Sequence, residues 1–102
     1  SIGGGSIQIT EVNGNKVEFT GDYPTLIISH QDVPGAVSNV TSILYKEHIN
    51  IAFMKVFRKQ RGKGATMVFE VDNRLNDDVI DEIKGIDSIS RVIRINPVKE
   101  EE

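Results

Sequence analysis

Two apolar stripes at helical spacing, four short strand-like runs around them, and turn residues at the junctions predict an α+β fold. Along residues 25–96 the order reads βαββαβ. Right-handed crossovers close that order into a ferredoxin-like sandwich, with two helices on one face of an antiparallel sheet. An N-terminal β-hairpin precedes it. The chain has 102 residues, of which 38% are hydrophobic and 26% charged, so it can fold around one small core.

The elements follow in order. Ile7 and Ile9 alternate with polar neighbours, Asn13-Gly14-Asn15 supplies a tight turn, and Val17 and Phe19 resume the alternation. Gly3-Gly4-Gly5 precedes this hairpin and Gly21-Asp22-Tyr23-Pro24 breaks after it. The first strand of the sandwich is read at Leu26–Ser29, then a loop at His30–Val33. The first helix is read from about Pro34 to Glu47, carrying Val37, Val40, Ile43 and Leu44 on one stripe. The second strand spans Asn50 to about Lys59 and the third Ala65–Asp72, with Arg61-Gly62-Lys63-Gly64 turning between them. The second helix starts at an Asn76 cap, turns Val79, Ile80 and Ile83 inward and ends at Gly85. The last strand is Ile89–Ile95, stopped by Pro97 and an acidic tail. Residues 1–22 thus read as the tail of a preceding domain, 23–98 as the sandwich and 99–102 as the tail.

Twelve basic against fifteen acidic residues leave a net charge of −3, a poor footprint for general nucleic-acid binding. With no cysteine, disulfides, iron–sulfur ligation and thiol catalysis within the chain are excluded. Apolar runs such as Ile51–Met54 are too short to cross a bilayer, and no secretory signal opens the sequence. A cytoplasmic setting is expected. The start at Ser1 rather than methionine suggests a piece of a longer chain. Lys55, Arg58, Lys59, Arg61 and Lys63 crowd the second hairpin; they read as a solvated tip that discourages edge pairing rather than as a phosphate site. Gly62-Lys63-Gly64 joins two strands and lacks the following helix of a phosphate loop. Asp77, Asp78, Asp81 and Glu82 suit the dipole of the second helix, and His48 suits the end of the first. No metal-ligand spacing and no nucleophile–base constellation is present, so this piece is read as non-catalytic.

The second strand is apolar on both sides: Ile51, Phe53 and Phe57 alternate with Ala52, Met54 and Val56. A strand of that kind should be covered on both faces. Two helices cover only one, so docking of the hairpin or self-association must cover the other, which points to an oligomer.

His30-Gln31-Asp32-Val33-Pro34-Gly35, a helix, and then Asn50-Ile51-Ala52 resemble the ACT domain family of amino-acid-sensing regulatory modules. Ser1-Ile2-Gly3-Gly4-Gly5-Ser6-Ile7 with Glu11-Val12-Asn13-Gly14 further resembles the domain junction in β chains of iron–sulfur L-serine dehydratases. The resemblance implies a homodimerising regulatory portion of an enzyme that deaminates L-serine to pyruvate and ammonia. A 4Fe-4S cluster would then lie in that enzyme's α portion, a partner of this chain. In the serine-binding ACT domain of phosphoglycerate dehydrogenase a His and an Asn before Pro-Gly, and an Asn opening the next strand, hold serine at a dimer interface. His30, Pro34, Gly35 and Asn50 match that pattern, while Asp32 replaces the first Asn.

An ionised Asp accepts hydrogen bonds and cannot donate. Asp32 would repel a ligand carboxylate and favour its ammonium, leaving the carboxylate to the N–H groups of the first helix. Asp32 also reads as a helix cap worth about 1 kcal/mol, His30 as an exposed strand-end residue, and Asn50 as a turn residue. A structural clamp without an effector is the other reading of the module. An acylphosphatase-like enzyme would need an Arg where His30-Gln31-Asp32 stands, and an RNA-recognition module would need aromatics on the first and third strands, where only Phe69 occurs.

Overall fold

The computed structural model describes residues 7–12, 14–58 and 64–97. Its elements are β1 (Gln8–Val12), β2 (Asn15–Phe19), β3 (Thr25–Gln31), α1 (Ala36–Lys46), β4 (Ile51–Arg58), β5 (Gly64–Val71), α2 (Asp77–Lys84) and β6 (Ile89–Ile95). β3 to β6 form one antiparallel sheet in the order β4-β5-β3-β6, and β1 pairs with β2 as a separate hairpin. The ferredoxin-like sandwich with its preceding hairpin is the fold of the chain.

Alternation along the two central strands builds two layers of core. Leu26, Ile28, Met67, Phe69 and Val71 face the helices, where Val40 and Leu44 of α1 and Val79, Ile80 and Ile83 of α2 meet them. Ile27 and Val68 face the other way, onto Val12 and Val17 of the hairpin. Each such fully buried side chain stabilises the fold by about 1.5–3 kcal/mol. The second face is therefore covered within the chain by the hairpin, one of the two covers its composition demanded.

The hairpin docks through the expected apolar residues of β2 but not through those at β1. Thr10↔Val17 and Val12↔Asn15 are cross-strand pairs, and Val12, Val17 and Phe19 are buried. Ile7 and Ile9 instead face water, 61% and 64% exposed. Period-two alternation fixes which residues share a face and leaves open which face docks.

β4 is also corrected. It lies at the sheet edge, with Phe53, Met54 and Val56 each more than two-fifths exposed; β3 and β5 are the strands covered on both sides. Register shifts between Ile51 and Phe53, placing an irregularity at Ala52. Ile51 therefore packs into the helix-side core, whereas Phe57 packs with the hairpin side, so the two do not share a face.

Helix ends follow the local chemistry. Asn76 caps α2, its side chain accepting from the Val79 N–H at 3.0 Å, and Gly85 closes it. α1 starts at Ala36 rather than Pro34, because Gly35 stands at φ 87° outside the helical region. It ends in a Schellman motif: His48 takes φ 60°, its N–H donates to the Tyr45 carbonyl, and the Ile49 N–H donates to the Leu44 carbonyl at 2.9 Å. His48 thus turns the chain. Phe69 is wholly buried against the helices and offers no platform for a base.

Candidate functional site

β3 runs two residues beyond its expected end, to Gln31, whose N–H donates to the Ser88 carbonyl at 2.9 Å. That extension carries His30 into the sheet. His30 is only 4% exposed, which corrects the exposed strand-end reading. Its Nδ1 lies 2.7 Å from the Gln31 carbonyl oxygen, and a carbonyl can only accept, so Nδ1 carries the proton. In the neutral ring Nε2 is then an acceptor, and it is buried with no hydrogen-bond partner among the described residues, as is Ser88 Oγ. Buried polar groups are seldom left so.

Asp32 is not a helix cap. Val33, Pro34 and Gly35 intervene before α1, and the cap position falls to Gly35, which has no side chain to offer. Asp32 instead accepts from the Arg58 guanidinium of β4 at 2.9 Å. Pro34 and Gly35 are exposed, and a Cβ built on Gly35 would meet nothing within 4 Å, so its glycine serves the positive φ alone.

Asn50 stands elsewhere. Its Nδ2 donates to Asp72 Oδ2 at 2.6 Å, and the Asp72 N–H donates to the Asn50 carbonyl, clasping the start of β4 to the end of β5. The eleven residues of α1, about 16 Å of helix, lie between it and Gly35. One chain therefore brings together His30, Asp32, Pro34 and Gly35 but not Asn50. Of the expected basic cluster, Lys59, Arg61 and Lys63 lie outside the described residues. Arg58 belongs to the bend, a role hidden in the sequence because Asp32 and Arg58 are 26 residues apart.

Two open grooves flank the β4 edge. One of about 450 Å³ is lined by Thr41, Ser42, Tyr45, Ile49, Asn50 and Ile51 at the C-terminal end of α1. The other, about 290 Å³, lies between hairpin and sheet and is lined by Ile7, Phe19 and Phe53 with Glu18 and Glu70. Among the described residues no cluster of His, Cys, Asp or Glu is arranged to hold a metal, and no helix is long and apolar enough to cross a membrane.

This fold, with a strand–Pro-Gly–helix bend at its sheet end, is that of a small α+β domain, and the ACT domain profile matches residues 24–88. The chain belongs to the ACT domain family. Among curated relatives, it is 39% identical over 95 residues to a probable L-serine dehydratase β chain of Bacillus subtilis, covering 93% of this chain and 43% of that one. It is 38% identical over 88 residues to the D-3-phosphoglycerate dehydrogenase of the same organism, covering 83% of this chain and 16% of that enzyme. The chain thus spans less than half the length of these relatives. Among solved structures, the ACT domain of a GTP pyrophosphokinase from Chlorobium tepidum superposes with a TM-score of 0.57 at 18% identity, over 71% of this chain and 95% of that one, a likeness of fold.

Proposed function

We propose that this chain is the amino-acid-sensing and dimerising module of an L-serine dehydratase, with L-serine as effector. The observation that carries the reading is the outer edge of β4, unpaired among the described residues, which exposes Phe53, Met54 and Val56 between the two halves of the expected site. β3 and β4 are both antiparallel to β5, so they run the same way. The end of β4, at Arg58, lies beside the bend, and its start adjoins Asn50. If two β4 edges pair antiparallel about a two-fold axis, the start of one strand meets the end of the other. Asn50 of the partner subunit, with the groove beside it, then stands next to His30, Asp32 and Gly35. Two equivalent sites arise at one seam, and an effector bound there favours one dimer geometry over others.

The relatives support the metabolite class, since the β chain of an L-serine dehydratase and D-3-phosphoglycerate dehydrogenases are among them. On this reading the parent enzyme deaminates L-serine to pyruvate and ammonia, and the module acts on it without catalysing. On the same reading a 4Fe-4S centre lies in the α portion of the enzyme, in keeping with a module that has no cysteine. Asp32 and Asn50 already have internal partners, which favours a second reading, a clamp between subunits without effector.

Sedimentation and calorimetry separate these readings. Sensing requires a dimer at tens of micromolar chain, and heat on titration with L-serine that disappears in Gly35→Asp, which sets a carboxylate at the entrance of α1. A dimer that gives no heat supports the clamp. A monomer overturns the sensing reading and leaves only a clamp between the α and β portions.

A further inference from the structure

We infer that Arg58 is the residue that binds the effector's carboxylate, held in position by Asp32; the inference rests on the amino-acid-sensing reading above. Strand register supplies the geometry. Arg58 of β4 and His30 of β3 are both the cross-strand partners of Ala65 in β5. Cross-strand partners point to the same face. Further along β5, Met67 and Phe69 belong to the helix-side core, so the row Arg58–Ala65–His30 lies on the helix side of the sheet. Adjacent strands are about 4.8 Å apart, which sets the backbones of Arg58 and His30 roughly 10 Å apart. Ala65 between them contributes only one methyl group to the row.

The two ends of the row have opposite chemistry. Arg58 is half exposed and spends one Nη1–H on Asp32, and a guanidinium has five N–H donors in a planar fork that matches a carboxylate. Asp32 fixes the direction of that fork without closing it. At the other end His30 Nε2 is a buried acceptor with no partner among the described residues, suited to the N–H of an ammonium or the O–H of a hydroxyl. An α-amino acid carries both groups on one carbon, a carboxylate for the fork and an ammonium as donor. The resulting orientation sets the carboxylate toward β4 and the donor toward β3. It also removes the conflict posed by an acidic residue in the bend, since Asp32's charge is met by Arg58 before any ligand arrives.

Calorimetry on the 102-residue chain with L-serine and with L-serinamide, which replaces the carboxylate by an amide, tests the assignment. The wild-type chain should bind L-serine roughly tenfold or more tightly than L-serinamide, as expected for a charge-assisted contact. Arg58→Gln should weaken L-serine by a similar factor and make the two probes equal. Arg58→Lys, keeping the charge without the fork, should fall between. Asp32→Asn should retain the preference for L-serine with somewhat weaker binding. An Arg58→Gln chain that still prefers L-serine by the wild-type ratio overturns the role of Arg58 and leaves the sensing reading intact. A wild-type chain that binds neither probe overturns the sensing reading itself.

Discussion

The two helices enter the fold in opposite ways. The first turn of α2 is closed by its own sequence: Asn76 accepts from Val79, and Asp77 and Asp78 stand at the positive end of the helix dipole. α1 enters through Gly35 with no side-chain cap and no acid in its first turn. α2 has eight residues, too few to persist without such help, whereas α1 has eleven and buries Ala36, Val40 and Leu44. One helix is secured at its end and the other along its body. The end that its own sequence leaves uncapped is also the one beside His30, Asp32 and Arg58.

Three substitutions sharpen that contrast. The largest effect is expected from Leu44→Ala, which opens a cavity under α1 and should cost about 2–5 kcal/mol in urea unfolding followed by circular dichroism. A loss below the cost of a cap would mean that α1 is not held by its body. Next is Asn76→Ala, expected to cost about 1 kcal/mol by the same measurement. A loss near zero would put the two helix starts on the same footing.

The smallest effect concerns Lys46, which pairs with Glu82 between the helices. The hydrogen bond that Lys46 donates to Glu82 raises its pKa, outweighing desolvation, with the charges of Glu82 and Glu47 adding to it. A raised pKa in the folded state favours folding at pH values below lysine's ordinary one, about 10.4, and that contribution fades as pH rises through the folded value. Thermal unfolding from about pH 9 to about pH 12 should show a shallow decline that Lys46→Met reduces, small because the pair is exposed. An unchanged slope in the variant would assign the decline to other groups.

Local signals carried most of the fold. β6 begins and ends where alternation and Pro97 place it, and Asn76 caps α2 as its side chain predicts. What escaped was set by tertiary pairing. β3 continues to Gln31 because Ser88 offers a carbonyl across the sheet, and no local pattern near His30 announces that bond. The hairpin docks through Val12, Val17 and Phe19 because the side that meets Ile27 and Val68 is chosen by the sheet. The candidate site was legible as a bend, from His30 to Gly35. Its cation was not, because only strand register brings Arg58 to Asp32.

A straight, greasy ribbon margin recruits strand after strand and ends in fibrils. The displaced register at Ala52 and the cation of Lys55 spoil that template, while Arg91 and Arg94 defend the opposite margin of the sheet. On the proposed two-fold pairing the same strip is consumed on both molecules, so polymerisation would halt at two.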